Sequence, residues 1–179
     1  MHESLLRANR AQGDFYPTPP EATHALFDRI GPLTGVVWEP ACGDGSMAKV
    51  IAERCPKASL RVSDLYDRGY GETGVDFLQE ERMQTAHVVT NPPYSLAEPF
   101  VRHALGTVPS AGTVAMLLKL NFLEGIRRKK LFEESPPSWV YVFSRRLKFP
   151  MPSGQGGGVL AYAWFVWLPD ARETRVGWI

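Results

Sequence analysis

The 179-residue sequence contains only two cysteines, Cys42 and Cys55, and no long hydrophobic run. The cysteines lack the spacing of zinc knuckles and redox motifs, so we expect a reduced, cytoplasmic protein without a bound metal. No apolar stretch approaches the roughly 18 residues of a membrane span, and the N-terminus does not resemble a signal peptide. The four histidines are scattered, and His87 is expected to pack inside a strand rather than bind metal. A phosphate-binding P-loop is absent too, because no Gly-Lys-Ser/Thr follows the glycine-rich turn.

The net charge is small, +1, but the charged residues are unevenly distributed. From Thr113 onwards ten Lys and Arg accompany five Asp and Glu, whereas the first 112 residues hold ten basic and fourteen acidic residues. A polyanion would therefore be attracted to the C-terminal part of the chain.

The order of apolar and amphipathic segments predicts one α/β domain over residues 1–179. Helices are expected near Leu5-Leu6 and at 19–30 (with Thr18 as N-cap), 45–54, 97–105 and 121–134; strands are expected at 36–39, 59–63, 74–78, 86–90, 113–120, 139–143 and 161–168. Strands that alternate with helices form a parallel sheet covered on both faces. The last two strands have no helical crossover between them, so we expect an antiparallel hairpin at one edge.

The most informative segment is Asn91-Pro92-Pro93-Tyr94, directly after the predicted strand 86–90. Asn91 offers a side-chain carbonyl oxygen and Pro92 a backbone carbonyl, and each precedes a proline that favours extended backbone. Tyr94 adds a flat face for a planar substrate. The segment suits the binding of an amino group on an aromatic ring or an amide, although a proline-rich turn after a buried strand is the simpler alternative.

A glycine-rich turn, Glu39-Pro40-Ala41-Cys42-Gly43-Asp44-Gly45, connects a predicted strand to a predicted helix. Open α/β sheets bind ligands at such positions, and Gly43 and Gly45 permit a tight turn. Asp64 ends the next strand 19 residues after Gly45, near the spacing of a carboxylate that binds ribose hydroxyls. Asp76 and Phe77 follow as an acceptor and a ring for a purine base. Each of these residues alone is equally compatible with an ordinary loop.

The chain resembles S-adenosylmethionine-dependent DNA adenine-N6 methyltransferases, most closely the short forms of phages and prophages. The resemblance covers most of the chain and rests on the segments Tyr16-Pro17-Thr18-Pro19, Glu39 to Gly45, Asp64, Asp76-Phe77, Asn91 to Tyr94 and the aromatic run 161–167. It implies a Rossmann-like, mostly parallel, seven-stranded sheet with an antiparallel last strand. No residues remain for a separate target-recognition domain.

The resemblance also implies roles for individual residues, with S-adenosylmethionine as cofactor and no metal. Tyr16, Pro17, Thr18 and Pro19 would border the methionine end of the cofactor, although they also suit a helix entrance. Gly43 and Gly45 would lie beneath it, and Glu39 and Ala41 of the same turn would also bind the cofactor. Asp64 would bind its ribose, and Asp76 and Phe77 its adenine. Asn91, Pro92, Pro93 and Tyr94 would hold the target base, which must be flipped out of a duplex.

Two basic segments are candidate DNA contacts. The first lies on a predicted helix, comprises Arg127, Arg128, Lys129 and Lys130, and could equally form a solvated face. The second begins a loop with Arg145, Arg146 and Lys148, and this loop continues through Met151 to the glycines at 154–158. We favour the second segment as the DNA contact. Lys119 and Asn121 are expected at the rim of the pocket. The cellular setting would be the cytoplasm of a bacterium or a phage-infected host.

Three other functions are compatible with the same motifs. An RNA adenine-N6 or guanine-N2 methyltransferase needs nearly the same acceptors. A protein glutamine-N5 methyltransferase is less compatible, because only 38 residues precede Glu39, where that class carries a helical domain. A non-catalytic binding module is the third.

Overall fold

A twisted sheet of eight strands organises the chain in the computed structural model, which describes residues 15–81, 86–150, 160–169 and 173–179. The strands are β1 Gly35–Glu39, β2 Ala58–Asp64, β3 Glu72–Thr73, β4 His87–Thr90, β5 Thr113–Lys119, β6 Trp139–Val142, β7 Tyr162–Trp167 and β8 Arg175–Trp178. The helices are α1 Pro20–Ile30, α2 Ser46–Arg54, α3 Ala97–Thr107 and α4 Ile126–Glu134, and short 3₁₀ turns span Phe77–Gln79, Tyr94–Leu96 and Leu120–Leu123.

The strand order is β3-β2-β1-β4-β5-β7-β6-β8. Strands β1 to β5 pair parallel with one another, whereas β7 pairs antiparallel with both β5 and β6. The predicted α/β fold and the β6–β7 hairpin are therefore confirmed. The carboxyl ends of β1, β2 and β4 lie at one edge of the sheet, which is where a parallel sheet places its ligands.

Helices cover both faces of the sheet, as expected for a buried parallel arrangement. Strand β5 shows this best, because Ala115 and Leu117 pack toward α1 and α2, while Val114 and Met116 pack toward α3. This two-residue alternation places apolar side chains on both faces, so the whole of β5 reads as one apolar run. Among the described residues, no helix is long and apolar enough to cross a membrane.

Three details differ from the sequence predictions. The sheet has eight strands rather than seven, because β8 pairs parallel with β6; the β6–β7 hairpin therefore lies inside the sheet and β8 forms the edge. The segment 74–78 is not a strand, since Asp76 caps the turn at Phe77–Gln79 by accepting a hydrogen bond from the Leu78 amide. Helix α4 begins only at Ile126, after Gly125 with a φ of 106°. The helix predicted near Leu5-Leu6 and the loop predicted around Met151 lie in residues 1–14 and 151–159, which are outside the described residues.

His87 is a structural residue, as expected. Its Nδ1 accepts a hydrogen bond from the Thr113 amide at 3.1 Å, and its Nε2 donates to the Thr34 carbonyl at 2.9 Å. Burial lowers the pKa of the imidazole, with a smaller opposing effect of the Thr34 hydrogen bond. The neutral ring therefore connects β4 to β5 and to the loop before β1.

Candidate active site

The carboxyl ends of β1, β2 and β4 border one cleft with about 740 Å³ of unfilled space, counted to its open mouth. Glu39, Asp64 and Asn91, which end or follow these strands, all line it. Other predicted residues that line the cleft are Tyr16, Pro17, Thr18, Ala41, Asp76, Phe77 and Pro93. Pro19, Gly43, Gly45, Pro92 and Tyr94 are not among its lining residues.

Asn91 is anchored through its amide nitrogen. Nδ2 donates a hydrogen bond to the Thr18 hydroxyl at 3.0 Å, whereas Oδ1 is buried and has no partner among the described residues. Buried polar atoms are nearly always hydrogen-bonded, so this carbonyl oxygen is an acceptor available to a ligand. The predicted N-cap role of Thr18 is wrong, because Pro19 occupies that position without a side-chain cap and the Thr18 hydroxyl contacts Asn91 instead.

The residues after Asn91 lead into the short turn at Tyr94–Leu96. The Pro93 carbonyl accepts a hydrogen bond from the Leu96 amide at 2.8 Å, and Pro92 is buried. The Pro93 carbonyl therefore closes this turn through a backbone hydrogen bond.

Tyr94 belongs to an aromatic cluster beside the cleft. Its ring lies 6.1 Å from Tyr16, nearly parallel to it, and 5.6 Å from Tyr162, and Phe149 packs 4.9 Å from Tyr162. The Lys119 Nζ lies 4.6 Å from the centre of the Tyr94 ring. A base that stacks on this face of Tyr94 would displace the flexible Lys119 side chain.

Asp64 organises the two loops that form the cleft. Oδ2 accepts a hydrogen bond from the Gly43 amide and Oδ1 accepts one from the Tyr66 amide, each at 2.9 Å. Each carboxylate oxygen can accept a second hydrogen bond, so this role leaves Asp64 able to bind a hydroxyl.

Glu39 is a buried carboxyl at the end of β1. It is 2% exposed, and its Oε2 has no hydrogen-bond partner among the described residues. Burial raises the pKa of Glu39 well above its usual value, and the nearby Asp64 and Asp44 raise it further. Burial therefore favours the protonated form of the carboxyl, whereas a cation that enters the cleft would favour its charged form.

The two glycines of the turn make room for aromatic rings. A side chain on Gly43 would collide with Phe15, and one on Gly45 would collide with Tyr70. The Arg68 guanidinium lies 4.3 Å from the centre of the Phe15 ring, and both residues line the cleft. Phe15, Tyr66 and Arg68 are lining residues that no sequence motif indicated, because they lie in irregular loops.

Phe77 packs largely into the core. It is 2% exposed and contacts Trp38, Phe100 and His103, with ring centroids 4.8 to 5.2 Å apart. Asp76, beside it, uses one oxygen to cap the following turn. Their proposed contacts with an adenine ring stay predictions.

The thiol of Cys42 also lines the cleft. Burial, followed by the charges of Glu39 and Asp64, raises the pKa of Cys42 to about 12. The thiolate is therefore scarce at neutral pH, which argues against a nucleophilic role.

The two basic segments differ in how their charges are used. Arg128 donates to backbone carbonyls, and Lys129 and Lys130 form ion pairs with Glu133 and Glu134. In the second segment, Leu147 and Phe149 point into the core, while the intervening Lys148 and the preceding Arg145 and Arg146 are exposed. Because Phe149 packs in the cluster with Tyr16 and Tyr162, the end of this segment lies beside the aromatic cluster.

Comparisons with known proteins agree on the fold. No family profile matches the chain, and no curated protein sequence matches it. Among solved structures, the chain is similar to the methyltransferase subunit of a type I restriction-modification system from Streptococcus thermophilus, with 15% identity and a TM-score of 0.66 over 91% of this chain. The chain spans only 47% of that subunit.

Two further structures show the same architecture. A Listeria monocytogenes protein, provisionally described as a class I S-adenosylmethionine-dependent methyltransferase, has 10% identity and a TM-score of 0.58 over 88% of this chain and 62% of its own. The 23S rRNA methyltransferase ErmE has 18% identity and a TM-score of 0.56 over 88% of this chain and 70% of its own. The chain therefore has the Rossmann-like fold found in class I methyltransferases.

Proposed function

We propose that this protein transfers a methyl group from S-adenosylmethionine to the N6 amino group of adenine in DNA. The observation that carries the proposal is the buried, unpartnered Oδ1 of Asn91, held in the cleft by the Thr18 hydroxyl. This oxygen suits a donor that presents N–H groups from a flat ring. The restriction-modification subunit, which has the same fold, supports DNA as the acceptor.

The residues of the cleft fit the cofactor. Glu39 has an unpartnered buried oxygen for the methionine ammonium group, and Asp64 lies at the strand end that suits a ribose. Asp76 and Phe77 also line the cleft and are the residues that we propose for the cofactor adenine. When bound, S-adenosylmethionine supplies a methyl group already activated by its sulfonium.

Asn91 would make the adenine nitrogen a better nucleophile. The N6 lone pair is delocalised into the purine ring, so N6 is a weak nucleophile. Acceptance of its hydrogens by Asn91 Oδ1 and the Pro92 carbonyl favours a pyramidal nitrogen and stabilises the positive charge that develops there. Methyl transfer would leave the cofactor as a neutral thioether and N6 with one hydrogen fewer, and the released proton would pass to solvent.

The target adenine must leave the duplex to reach Asn91. Extrusion of a paired base costs a few kcal/mol, and stacking on an aromatic ring recovers roughly 1–3 kcal/mol. Tyr94 is the proposed stacking ring, because it ends the Asn91-Pro92-Pro93-Tyr94 segment and belongs to the cluster beside the cleft. Alignment of the two substrates then supplies most of the acceleration.

RNA is the second candidate acceptor, since ErmE, a 23S rRNA methyltransferase, has the same fold. The deciding experiment incubates the protein with methyl-labelled S-adenosylmethionine and unmethylated DNA, RNA or release factor. Mass spectrometry of the digested products then identifies the modified unit. We expect N6-methyladenine in DNA; methylated RNA or glutamine would contradict the proposal, and cofactor binding without transfer to any acceptor would indicate a binding module.

A further inference from the structure

Three large apolar side chains are exposed around the turn that follows β5, and we call them the apolar rim: Leu123, Ile126 and Leu160. Ile126 is 91% exposed, and Leu123 and Leu160 are each 45% exposed. Leu123 and Leu160 line the same shallow groove. Ile126 does not line the groove but follows Leu123 by three residues, and grouped apolar side chains bordered by polar residues mark interaction sites.

The turn that carries the rim is braced by Arg128. Its guanidinium donates to the carbonyls of Phe122 at 2.8 Å and Asn121 at 3.3 Å, and also to that of Glu124. Gly125, with a φ of 106°, turns the backbone into α4. Ile126 is therefore presented to solvent by a fixed turn rather than by a frayed end.

The groove lies next to the candidate active site. Lys119 lines the groove together with Leu123 and Leu160, and its Nζ is 4.6 Å from the centre of the Tyr94 ring. Strands β4 and β5 are parallel neighbours, so Asn91 and Lys119 leave the same edge of the sheet. A base held at Asn91 and Tyr94 would have its flanking nucleotides near the rim.

Charge favours a polyanion at this surface. Lys119 is in the groove, and Arg127 follows Ile126 without an ion pair among the described residues; Glu124 is the carboxylate that lines the groove. Three side chains are too small an area for a stable dimer, which buries roughly 1,200–2,000 Å². Apolar wedges beside cations are, in contrast, the means by which proteins unstack a duplex.

We propose that the apolar rim contacts the base stack of duplex DNA next to the extruded adenine. Ile126 is the side chain that packs against the gap that the adenine leaves in the stack. This inference rests on the proposed function. The rim then assists extrusion and takes no part in the chemistry at N6, so its importance must depend on how firmly the target adenine is paired.

The test compares Ile126→Ala and Ile126→Leu with wild type, and uses Val176→Ala, an exposed apolar residue on β8, as the matched control. Unmethylated phage DNA is first incubated with the wild-type protein and S-adenosylmethionine, and the positions that become methylated are mapped. Single-turnover methylation is then measured on two oligonucleotides around one mapped site: a fully paired duplex, and the same duplex with an abasic position opposite the adenine.

We expect Ile126→Ala to slow methylation of the paired duplex about tenfold and that of the abasic duplex less than about twofold. Ile126→Leu and Val176→Ala should match wild type on both. Equal losses of rate on both duplexes, or no loss on either, would overturn the inference. So would a wild-type dimer that Ile126→Ala dissociates. In each of these cases, methylation of DNA by the wild type would still support the proposed function. If the wild type methylates no DNA, both proposals fall.

Discussion

The hydroxyl of Thr18 and the amide of Asn91 form a hydrogen bond of 3.0 Å between two segments 73 residues apart. Thr18 precedes α1, and Asn91 follows β4, so the bond joins the entrance of the first helix to the carboxyl edge of the sheet. In this arrangement the asparagine nitrogen is satisfied by the threonine hydroxyl and the asparagine oxygen is left available. Thr18 is a positioning residue for the proposed chemistry.

Thr18→Val should lower kcat about tenfold with little change in the KM for DNA. Loss of one partner of a buried hydrogen bond costs about 1–3 kcal/mol, and here the loss frees the Asn91 amide to turn. Thr18→Ser, which restores the hydroxyl, should recover most of the rate. A structural role alone would instead lower the melting temperature and leave kcat of the folded fraction unchanged, so both quantities must be measured.

Asn91→Ala should reduce kcat by about a hundredfold or more while S-adenosylmethionine binds nearly as in wild type. The reason is that the Oδ1 acceptor acts on charge that develops only during transfer. Cofactor affinity by isothermal titration calorimetry and single-turnover rates would separate the two effects. Equal loss of binding and rate in a folded variant would contradict this division of labour.

Much of the fold follows from local patterns. The apolar run of β5 predicts a strand buried on both faces, and Ala115 and Met116 do pack toward opposite helix layers. Strand β8 was missed because Arg175-Val176-Gly177-Trp178 is short, contains glycine and is mostly exposed, so no hydrophobic alternation marks it.

The candidate site was only partly predictable. Residues that end parallel strands, such as Glu39, Asp64 and Asn91, lie at one cleft because the topology dictates it. Phe15 and Arg68 could not be predicted, since their contact joins two irregular loops more than fifty residues apart. The Thr18–Asn91 bond is equally long-range, and no spacing rule reports it.

Glu39→Gln should raise the melting temperature at pH 8 and weaken cofactor binding. Glu39 has a raised pKa in the folded state, so its contribution to the stability of wild type is most favourable near and below the ordinary pKa of 4.5 and declines as the pH rises toward the folded pKa. The amide removes this decline, because it is never charged. The advantage of the variant over wild type should therefore shrink between pH 8 and pH 5.

Cofactor binding supplies the counterpart of that measurement. The ammonium group would favour ionised Glu39, so binding to wild type should release a proton that binding to Glu39→Gln does not. Calorimetry in two buffers of different ionisation enthalpy measures this proton. An unchanged proton count in the variant would show that Glu39 does not face the ammonium group.

The exposed charges of Arg145, Arg146 and Lys148 should contribute more to DNA binding than those of Lys129 and Lys130. The latter two are already paired with Glu133 and Glu134, whereas the former flank the buried Leu147 and Phe149 beside the aromatic cluster. Each phosphate contact adds about 0.9 to the slope of log affinity against log salt concentration. Replacing all three residues by alanine should therefore lower the slope by up to about 3.

The double variant Lys129→Ala and Lys130→Ala is the matched comparison, because it also removes positive charge from the C-terminal part of the chain. Its slope should change by less than about 1, since each lysine brings a neutralising glutamate with it. Fluorescence anisotropy with a labelled duplex, at salt concentrations from about 50 to 200 mM, gives both slopes. If the slope instead decreases more in the double variant than in the triple variant, DNA lies along α4 rather than along the segment that begins at Arg145.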